Sequence, residues 1–237
     1  MINNDLKEMF MKIDIVLNDE QVSKFVKLKE ELVRWNNKIN LTAITDEVDI
    51  LNKHFYDSII STKFWKWKGS ENVIDIGTGA GFPGLPLKIL YPNLNMVLVD
   101  STVKKINYLN HMIDILELEN VSAIHARAEE LGQNHMYREK YDIVVSRAVA
   151  RMSVLAEYCI PLVKLGGVFI AYKGAEGSEE CREALKAVGV FGGEVLKEEE
   201  YLISTVNSVR KIVIIKKLKD TPCIYPRRVG VPQKKPM

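Results

Sequence analysis

The segment VIDIGTGAGFPG, from Val73 to Gly84, constrains the fold of this chain more than any other feature. An apolar run that ends at Ile76 leads directly into the glycine-rich turn Gly77–Gly81, and Pro83 follows where a helix would begin. Glycines let the backbone turn sharply and approach a ligand without an intervening side chain. The N-terminus of the next helix favours negative charge. We therefore predict a buried strand, a ligand-binding turn and a helix, in this order.

Short apolar runs alternate with helical patterns along the core of the chain. The predicted strands are Val73–Ile76, Met96–Val99, Val121–His125, Ile143–Ser146 and Val168–Tyr172, and the predicted helices are Leu85–Leu90, Val103–Leu116, Ser153–Val163 and Glu179–Val188. Nearly all of these strands lack apolar–polar alternation, which is typical of a parallel sheet covered on both faces. Glu194–Ile203 and Val209–Lys216 follow each other without a helix, so we predict that they pair as an antiparallel hairpin.

The first seventy residues have a helical pattern instead. Apolar residues recur at near-helical spacing from Val22 to Trp35, with Asp19 as the predicted N-cap, and a polar turn is expected over Asn36–Asn40. Shorter helices are predicted over Glu47–Tyr56 and Ser58–Trp67. The chain is therefore divided into a helical extension packed on the core (1–70), an α/β core (71–219) and a tail predicted to be irregular (220–237).

The charge of the chain is concentrated at its C-terminus. The 28 residues from Arg210 onward contain nine Lys and Arg residues against the single acid Asp220, whereas the preceding 209 residues contain 24 basic and 30 acidic residues. A mildly acidic body with a basic end indicates a polyanionic partner. The alternative is a solvated tail that only aids solubility.

Several protein classes are excluded by composition. The three cysteines are widely spaced and form no Cys-x-x-Cys, which argues against a disulfide framework and against a zinc site. Acidic residues interrupt the N-terminal apolar stretch, so it does not resemble a signal peptide, and no apolar run approaches the ~18 to 20 residues of a membrane helix. We expect a cytoplasmic, monomeric protein with no metal site and no membrane partner.

Two classes of cofactor-binding protein use such a glycine-rich turn. The register Gly79–Gly84 matches the dinucleotide fingerprint, with Asp100 about twenty residues further on, and would indicate a nicotinamide-dependent oxidoreductase. The register Asp75–Gly81 resembles the first motif of S-adenosylmethionine-dependent methyltransferases, in which Asp100 would again hold the ribose hydroxyls. Because the strand ends at Ile76 and the sheet ends in a hairpin, the second register is favoured. We predict a Rossmann-like class I methyltransferase fold with an N-terminal helical extension.

Motifs of other methyltransferases limit which atom of the substrate could receive the methyl group. Enzymes that methylate exocyclic amines usually carry an Asn/Asp-Pro-Pro-aromatic turn after the fourth strand, where this chain has Ser146–Val149. Enzymes that methylate C5 of cytosine need a cysteine nucleophile, but Pro222–Cys223 lies beyond the last predicted strand. Guanine N7 is unprotonated at neutral pH and needs neither a base nor a nucleophile. The enzyme would only align N7 with the sulfonium methyl and accommodate a cationic product.

Seven stretches spread over almost the whole chain carry a more specific signal than the glycine-rich turn alone. They are Trp35–Ile44 (WNNKINLTAI), His54–Ile59, Asp75–Leu87, Ala126–Leu131, Ser146–Ala150, Lys173–Gly174 and Tyr225–Pro236 (YPRRVGVPQKKP). In this order they resemble the glucose-inhibited division protein B family, bacterial methyltransferases that act on guanine N7 of small-subunit (16S) ribosomal RNA. The resemblance implies S-adenosylmethionine as cofactor and small-subunit ribosomal RNA, or a ribosomal subunit, as partner.

The candidate site residues are taken from positions that match the family. The predicted cofactor-binding residues are Asp75, Gly77, Gly79, Phe82, Asp100, Ala128, Glu129 and Arg147. The predicted residues at the mouth of the catalytic site are Asn40, His54, Asp57 and Lys173, and the predicted RNA contacts are Lys173, Arg227, Arg228, Lys234 and Lys235.

Structural roles remain open for several of these residues. Asp100 and Asn40 are candidates for helix caps, His54 for core packing and Arg147 for an ion pair with Asp142. A non-catalytic RNA-binding factor for ribosome assembly also remains an alternative function, because of the basic tail.

Overall fold

The α/β core is a seven-stranded sheet with the strand order β3-β2-β1-β4-β5-β7-β6 in the computed structural model. The structure describes residues 2–203 and 207–237, with side chains from Asn4 onward, so Met1 of the predicted extension lies outside the described residues. The strands are β1 (Asn72–Ile76), β2 (Asn95–Asp100), β3 (Val121–His125), β4 (Tyr141–Arg147), β5 (Val163–Lys173), β6 (Gly193–Ile203) and β7 (Ser208–Lys217). Strands β1 to β5 pair in parallel, and β7 pairs antiparallel with both β5 and β6. This topology confirms the predicted Rossmann-like sheet and its terminal hairpin.

Helices cover both faces of the sheet. On one face lie α6 (Gly84–Leu90) and α7 (Val103–Ile115); on the other lie α8 (Ala128–Gln133), α9 (Met152–Cys159, continued by a 3-10 turn over Ile160–Leu162) and α10 (Gly177–Val190). The buried apolar residues form two separate core clusters, one on each face. This double cover explains why the central strands are apolar throughout.

The N-terminal helices pack on the face that carries α6 and α7. They are α1 (Ile2–Met11), α2 (Asp19–Ile39), α3 (Glu47–Asp49), a π-helical segment (Ile50–Tyr56), α4 (Asp57–Ile59) and α5 (Ser61–Phe64). The rings of Phe10, Phe25 and Phe55 follow one another with centroid distances of 4.9 and 5.2 Å. This aromatic row anchors the π-helical segment, which brings Asp57 to the sheet. None of the helices in residues 2–203 and 207–237 is long and apolar enough to span a bilayer.

The N-terminal predictions are wrong at both ends of α2. Its N-cap is Asn18, not Asp19: the Asn18 Oδ1 accepts from the Gln21 N–H at 2.8 Å and the Gln21 side chain accepts from the Asn18 N–H at 3.0 Å. The predicted polar turn is helical through Ile39, because Trp35 packs edge-on against Tyr108 at 5.6 Å and holds the segment in the helix. Tertiary packing overrides the weak helix propensity of asparagine here.

Two further helices depart from the predictions. Helix α8 was not predicted, although Glu130 three residues after Arg127 accepts from the Arg127 N–H at 3.0 Å, as in a capping box. The tail is not wholly irregular, because Val231–Lys234 forms a short helix, α11, that begins after Gly230.

The tail (220–237) is docked on α8 and α9 rather than extended into solvent. The Arg138 guanidinium donates to the carbonyls of Gly132, Thr221 and Tyr225 at 2.5 to 2.7 Å. Arg227 forms a forked ion pair with Glu157, which is 1% exposed, at 2.6 to 3.1 Å. Charge-assisted, bidentate contacts of this kind are strong and geometrically specific. They fix the path of the tail.

We expect two glycines near the end of α10 to respond oppositely to replacement by alanine. Gly192 has a φ of +87°, and a methyl group there would lie 2.1 Å from the Lys219 carbonyl oxygen, so Gly192→Ala should lower the free energy of unfolding by about 2 to 4 kcal/mol. Gly189 is helical with no atom within 4 Å of an added methyl, so Gly189→Ala should raise it by about 0.5 to 1 kcal/mol. Urea denaturation measures both, and equal effects would contradict this account.

Candidate active site

The carboxyl ends of the parallel strands bring the predicted site residues to one edge of the sheet. Gly77 follows β1, Asp100 ends β2, Arg147 ends β4 and Lys173 ends β5. In open α/β sheets ligands bind at this edge. Two cavities lie there, which we call the glycine-turn cleft, beside β1 and β2, and the β5–β7 cavity.

Asp75 supports the glycine-rich turn from beneath. It is fully buried, and its Oδ2 accepts from the Thr78 hydroxyl and from the Gly84 N–H, each at 2.8 Å. Burial raises the pKa of Asp75 to about 7. Through these two hydrogen bonds the Asp75 side chain holds the turn closed and does not face the cleft. A methyl group at Gly84 would lie 2.9 Å from the Asp75 Oδ2.

The glycine-turn cleft is narrow and is covered by the segment after β4. Its volume is about 80 Å³, less than three water volumes of ~30 Å³. A methyl group at Gly77 would lie 2.3 Å from Cγ2 of Val149, so only glycine permits this approach. The positive φ of Gly77 and Gly79, +71° and +61°, is a second reason for glycine there.

Asp100 lines this cleft and is 5% exposed. Its Oδ1 accepts from the Thr102 N–H at 2.9 Å, and its Oδ2 accepts from the Gly79 N–H at 3.1 Å and from Lys105 Nζ at 3.3 Å. The side chain thus supports the start of α7 and the glycine turn together. One lone pair on Oδ1 remains for a ligand.

Ala128 and Glu129 begin α8 at the far wall of the cleft. Glu129 is 5% exposed, and its carboxylate accepts a hydrogen bond from the Gly230 N–H at 2.9 Å. The docked tail therefore reaches the cleft through this carboxylate.

Arg147 lines the β5–β7 cavity, and it does not pair with Asp142. Its Nη1 donates to Asp57 Oδ2 at 2.7 Å and to the Lys53 carbonyl at 3.1 Å, and its guanidinium carbon lies 5.3 Å from the centroid of the Phe82 ring. Asp142 instead pairs with Lys164. Arg147 thus ties the N-terminal helices to the end of β4.

The β5–β7 cavity has a volume of about 330 Å³. Its lining combines Asp57, Arg147 and Lys173 from the predicted set with residues that were not predicted: Ala148, Tyr172, Gly174, Ala175, Glu176, Glu180, Tyr201 and Arg210. The Tyr201 hydroxyl donates to Asp57 Oδ1 at 2.6 Å, and Lys173 Nζ pairs with Glu180 at 2.6 Å. The alternation of side chains along β7 could have predicted this position of Arg210. Arg210 lies on the same face of the strand as the apolar Ile212 and Ile214, which are buried.

The remaining predicted residues lie apart. Asn40 is the C-cap of α2, with φ +49°, and it lines neither cavity among the described residues. Arg228, Lys234 and Lys235 are exposed on the docked tail, while Arg227 is held by Glu157. Tyr225, at the start of the tail motif, packs against the core, since its ring meets Phe191 edge-on at 5.0 Å.

His54 is buried in a position that fixes its tautomer. Its ring stacks on Phe82 at 4.4 Å, and Arg147 Nη2 lies 3.3 Å from its Nδ1. Arginine only donates, so Nδ1 accepts, and Nε2–H donates to the Thr42 hydroxyl at 3.0 Å. Burial, Arg147 and Lys53 lower the pKa of His54 to about 3. At neutral pH this histidine orients Arg147 and holds no proton that it can release.

We expect His54 to make the fold less stable in mild acid. Its pKa is about 3 in the folded state and about 6.5 in the unfolded state, so the unfolded chain binds the proton first and the stability present above pH 6.5 is lost as the pH falls. The free energy of unfolding should fall by about 1 kcal/mol per pH unit between pH 6 and 5, and His54→Gln should remove this slope. Urea denaturation at each pH measures it; an identical slope in the variant would contradict the assignment.

Known proteins resemble this chain in sequence and in fold. The sequence profile of the GidB family, described as rRNA small subunit methyltransferase G, matches residues 21–207. Ribosomal RNA small subunit methyltransferase G of Desulforamulus reducens is 47% identical over 98% of this chain and 97% of its own length. The protein of the same name from Staphylococcus carnosus is 48% identical over 98% and 97%.

Solved structures share the fold at low identity. Fibrillarin in its complex with Nop5p has a TM-score of 0.52 and 15% identity, with 68% of this chain and 81% of that chain covered. TYW2 of P. horikoshii in complex with MeSAdo has a TM-score of 0.50 and 13% identity, with 86% and 64% covered. Both support the fold alone. The near full-length match to curated relatives decides the family: this chain belongs to the GidB family of rRNA small subunit methyltransferases G.

Proposed function

We propose that this protein transfers the methyl group of S-adenosylmethionine to N7 of a guanine in small-subunit ribosomal RNA. Family membership supports the reaction and the substrate. The observation in the fold that carries it is the presence of two cavities at the same edge of the sheet, one lined by the glycine turn and Asp100, the other by polar side chains, with the consecutive residues Ala148 and Val149 lining one each. One cavity would take the methyl donor, and the other the target nucleotide.

The glycine-turn cleft has the chemistry of a nucleoside site. Asp100 offers a free lone pair for ribose hydroxyls, Glu129 lies at the far end, and apolar atoms of Val99, Ala128 and Tyr158 line the space between. When bound, S-adenosylmethionine supplies an electrophilic sulfonium methyl. Since the cleft has a volume of only about 80 Å³ and Val149 lies against Gly77, we propose that Val149 shifts when S-adenosylmethionine binds.

The residues around the second cavity need not remove a proton. Guanine N7 attacks as a neutral lone pair, so alignment and electrostatics suffice. His54 is neutral at neutral pH, and burial beside Asp57 raises the pKa of Tyr201 far above its usual value. Burial likewise raises the pKa of Cys159 and Cys181, while Cys223 is exposed on the tail. The carboxylates of Asp57 and Glu180 line the cavity, where they would stabilise a cationic product.

Exposed cations of the docked tail would contact the RNA backbone. Arg228, Lys234 and Lys235 are exposed and form no ion pair with any described residue. Lys and Arg near phosphates contribute affinity that does not depend on sequence. We also propose that the protein acts as a monomer, and ribosomal RNA as the substrate supports action in the cytoplasm.

The reaction is tested with ribosomal RNA from cells that lack this gene. Purified protein and methyl-labelled S-adenosylmethionine should place label in that RNA, and nucleoside mass spectrometry should identify 7-methylguanosine. RNA binding without methyl transfer would favour the non-catalytic assembly factor. Tight binding of NAD without S-adenosylmethionine would favour the oxidoreductase.

Asp100→Ala tests whether the glycine-turn cleft binds S-adenosylmethionine. A hydrogen bond between a charged group and ribose contributes roughly 1.5 to 3 kcal/mol, so affinity for S-adenosylmethionine should fall by about ten- to a hundredfold. Calorimetric titration measures the affinity, and an unchanged value would exclude a ribose contact.

We expect the tail to control the salt dependence of RNA binding. Changing Arg228, Lys234 and Lys235 together to glutamine should reduce the slope of log affinity against log salt by about 0.7 to 0.9 for each phosphate that the tail no longer neutralises. The affinity for the methyl donor should stay the same. Arg227 is retained in this variant because its replacement would leave Glu157 buried and unpaired. Lys186→Gln, an exposed cation on α10, is the control for overall charge. An unchanged slope would mean that these residues do not contact phosphates and that the tail only aids solubility.

A further inference from the structure

Most of the charged groups of the β5–β7 cavity already have partners. Arg147 pairs with Asp57 at 2.7 Å, and Lys173 pairs with Glu180 at 2.6 Å. Among the described residues, this leaves two lining charges without an ion pair, Arg210 and Glu176. Their charges cancel, so the cavity is neutral overall but offers one strong donor and one strong acceptor.

Arg210 has a buried hydrogen-bond donor without a partner among the described residues. This donor is its Nε. Buried donors in folded proteins are almost always paired, and an unpaired one costs free energy that a ligand recovers. Arg210 stands opposite Tyr201 in the β6–β7 ladder, and both side chains line the cavity.

Among the residues that the structure describes, Glu176 is the second unpaired charge of the cavity. It precedes the first residue of α10 and makes no side-chain capping bond to that helix. Its carboxylate is exposed and lines the same cavity as Arg210.

We propose that Arg210 and Glu176 recognise the target base by its Watson–Crick edge. Guanine presents the acceptor O6 beside the donors N1–H and N2–H2, so Arg210 would donate to O6 and Glu176 would accept from N1 and N2. Adenine presents a donor amine at C6 and an acceptor at N1, which opposes both residues. Contact on this edge leaves N7 free for the methyl group. The inference rests on the proposed guanine-N7 reaction and adds the residues that select the base.

Size and charge favour a base over a phosphate in this cavity. The volume of about 330 Å³ is at the lower end of the ~300 to 1,000 Å³ typical of small-molecule sites, so its size suits a single base. A phosphate would meet the unpaired carboxylate of Glu176 as well as Arg210. A neutral base with one acceptor and two donors meets no such repulsion.

The carboxylate of the methyl donor is a poorer partner for Arg210 because of distance. Three strand spacings separate β7 from β1 in the order β1-β4-β5-β7, which is roughly 14 Å at ~4.8 Å per spacing. The glycine-turn cleft belongs to β1 and β2, and Arg147 lies between it and Arg210.

The test compares wild type with Arg210→Gln, Glu176→Gln and the control Arg182→Gln, an exposed arginine on α10. Guanosine and adenosine monophosphates are added as competitors of methyl transfer to ribosomal RNA. Wild type and the control should be inhibited more strongly by the guanosine nucleotide. In both cavity variants, this preference should fall by about tenfold, and the catalytic efficiency on RNA should fall with it. Affinity for S-adenosylmethionine and the melting temperature should match wild type.

Each other outcome overturns the inference. A preference that is absent in wild type, or unchanged in the variants, means that these residues do not read the base. Weaker binding of S-adenosylmethionine by Arg210→Gln means that Arg210 holds the methyl donor instead. Failure of the guanine-N7 reaction itself appears separately, as the absence of 7-methylguanosine in RNA treated with wild type.

Discussion

The buried contact between Arg147 and Asp57 joins the N-terminal helices to the carboxyl end of the sheet. The free energy needed to take both charges out of water is about as large as the free energy of their attraction, so such a pair adds little net stability to the fold. Replacing only one partner destabilises the fold, because it leaves the other charge buried and unpaired. The effect of the pair is geometric. One guanidinium also contacts the Lys53 carbonyl, His54 and Phe82, and thereby holds the π-helical segment and the residue after the glycine turn against the end of β4. The wall of the β5–β7 cavity that Arg147 and Asp57 form depends on these contacts.

Elements with a local periodic signal could be predicted from the sequence. The parallel strands, the hairpin and the glycine turn appear as expected, because apolar runs and glycine chemistry act over a few residues. The family resemblance is confirmed by the relatives. Helix α8 was missed because it is short, and the end of α2 was missed because packing of Trp35 outweighs the local preference of its asparagines.

Long-range pairs could not be predicted in the same way. Arg147 and Asp57 are 90 residues apart in the chain, and Arg227 and Glu157 are 70 apart. In the sequence, each arginine could form an ion pair with any of several acidic residues. Only the order of the strands and the docking of the tail determine which acidic residue lies beside it. The basic C-terminus therefore divides into three kinds of charge: Arg227 is paired within the fold, Arg210 lines a cavity of the sheet, and Arg228, Lys234 and Lys235 are exposed.

The electrostatics of the site narrow the target atom further than the glycine-rich turn does. Burial lowers the pKa of His54 and raises that of Tyr201, so at neutral pH neither group can accept a proton from a substrate as an ordinary base would. An exocyclic amine loses a proton when it is methylated, whereas guanine N7 begins with a free lone pair and keeps its new charge. The carboxylates of Asp57, Glu176 and Glu180 line the β5–β7 cavity and can stabilise that charge, and a reaction at N7 needs none of them as a base. The glycine turn is common to many methyltransferases, so the choice of N7 rests on the family of this chain, and the charges of the second cavity suit that choice.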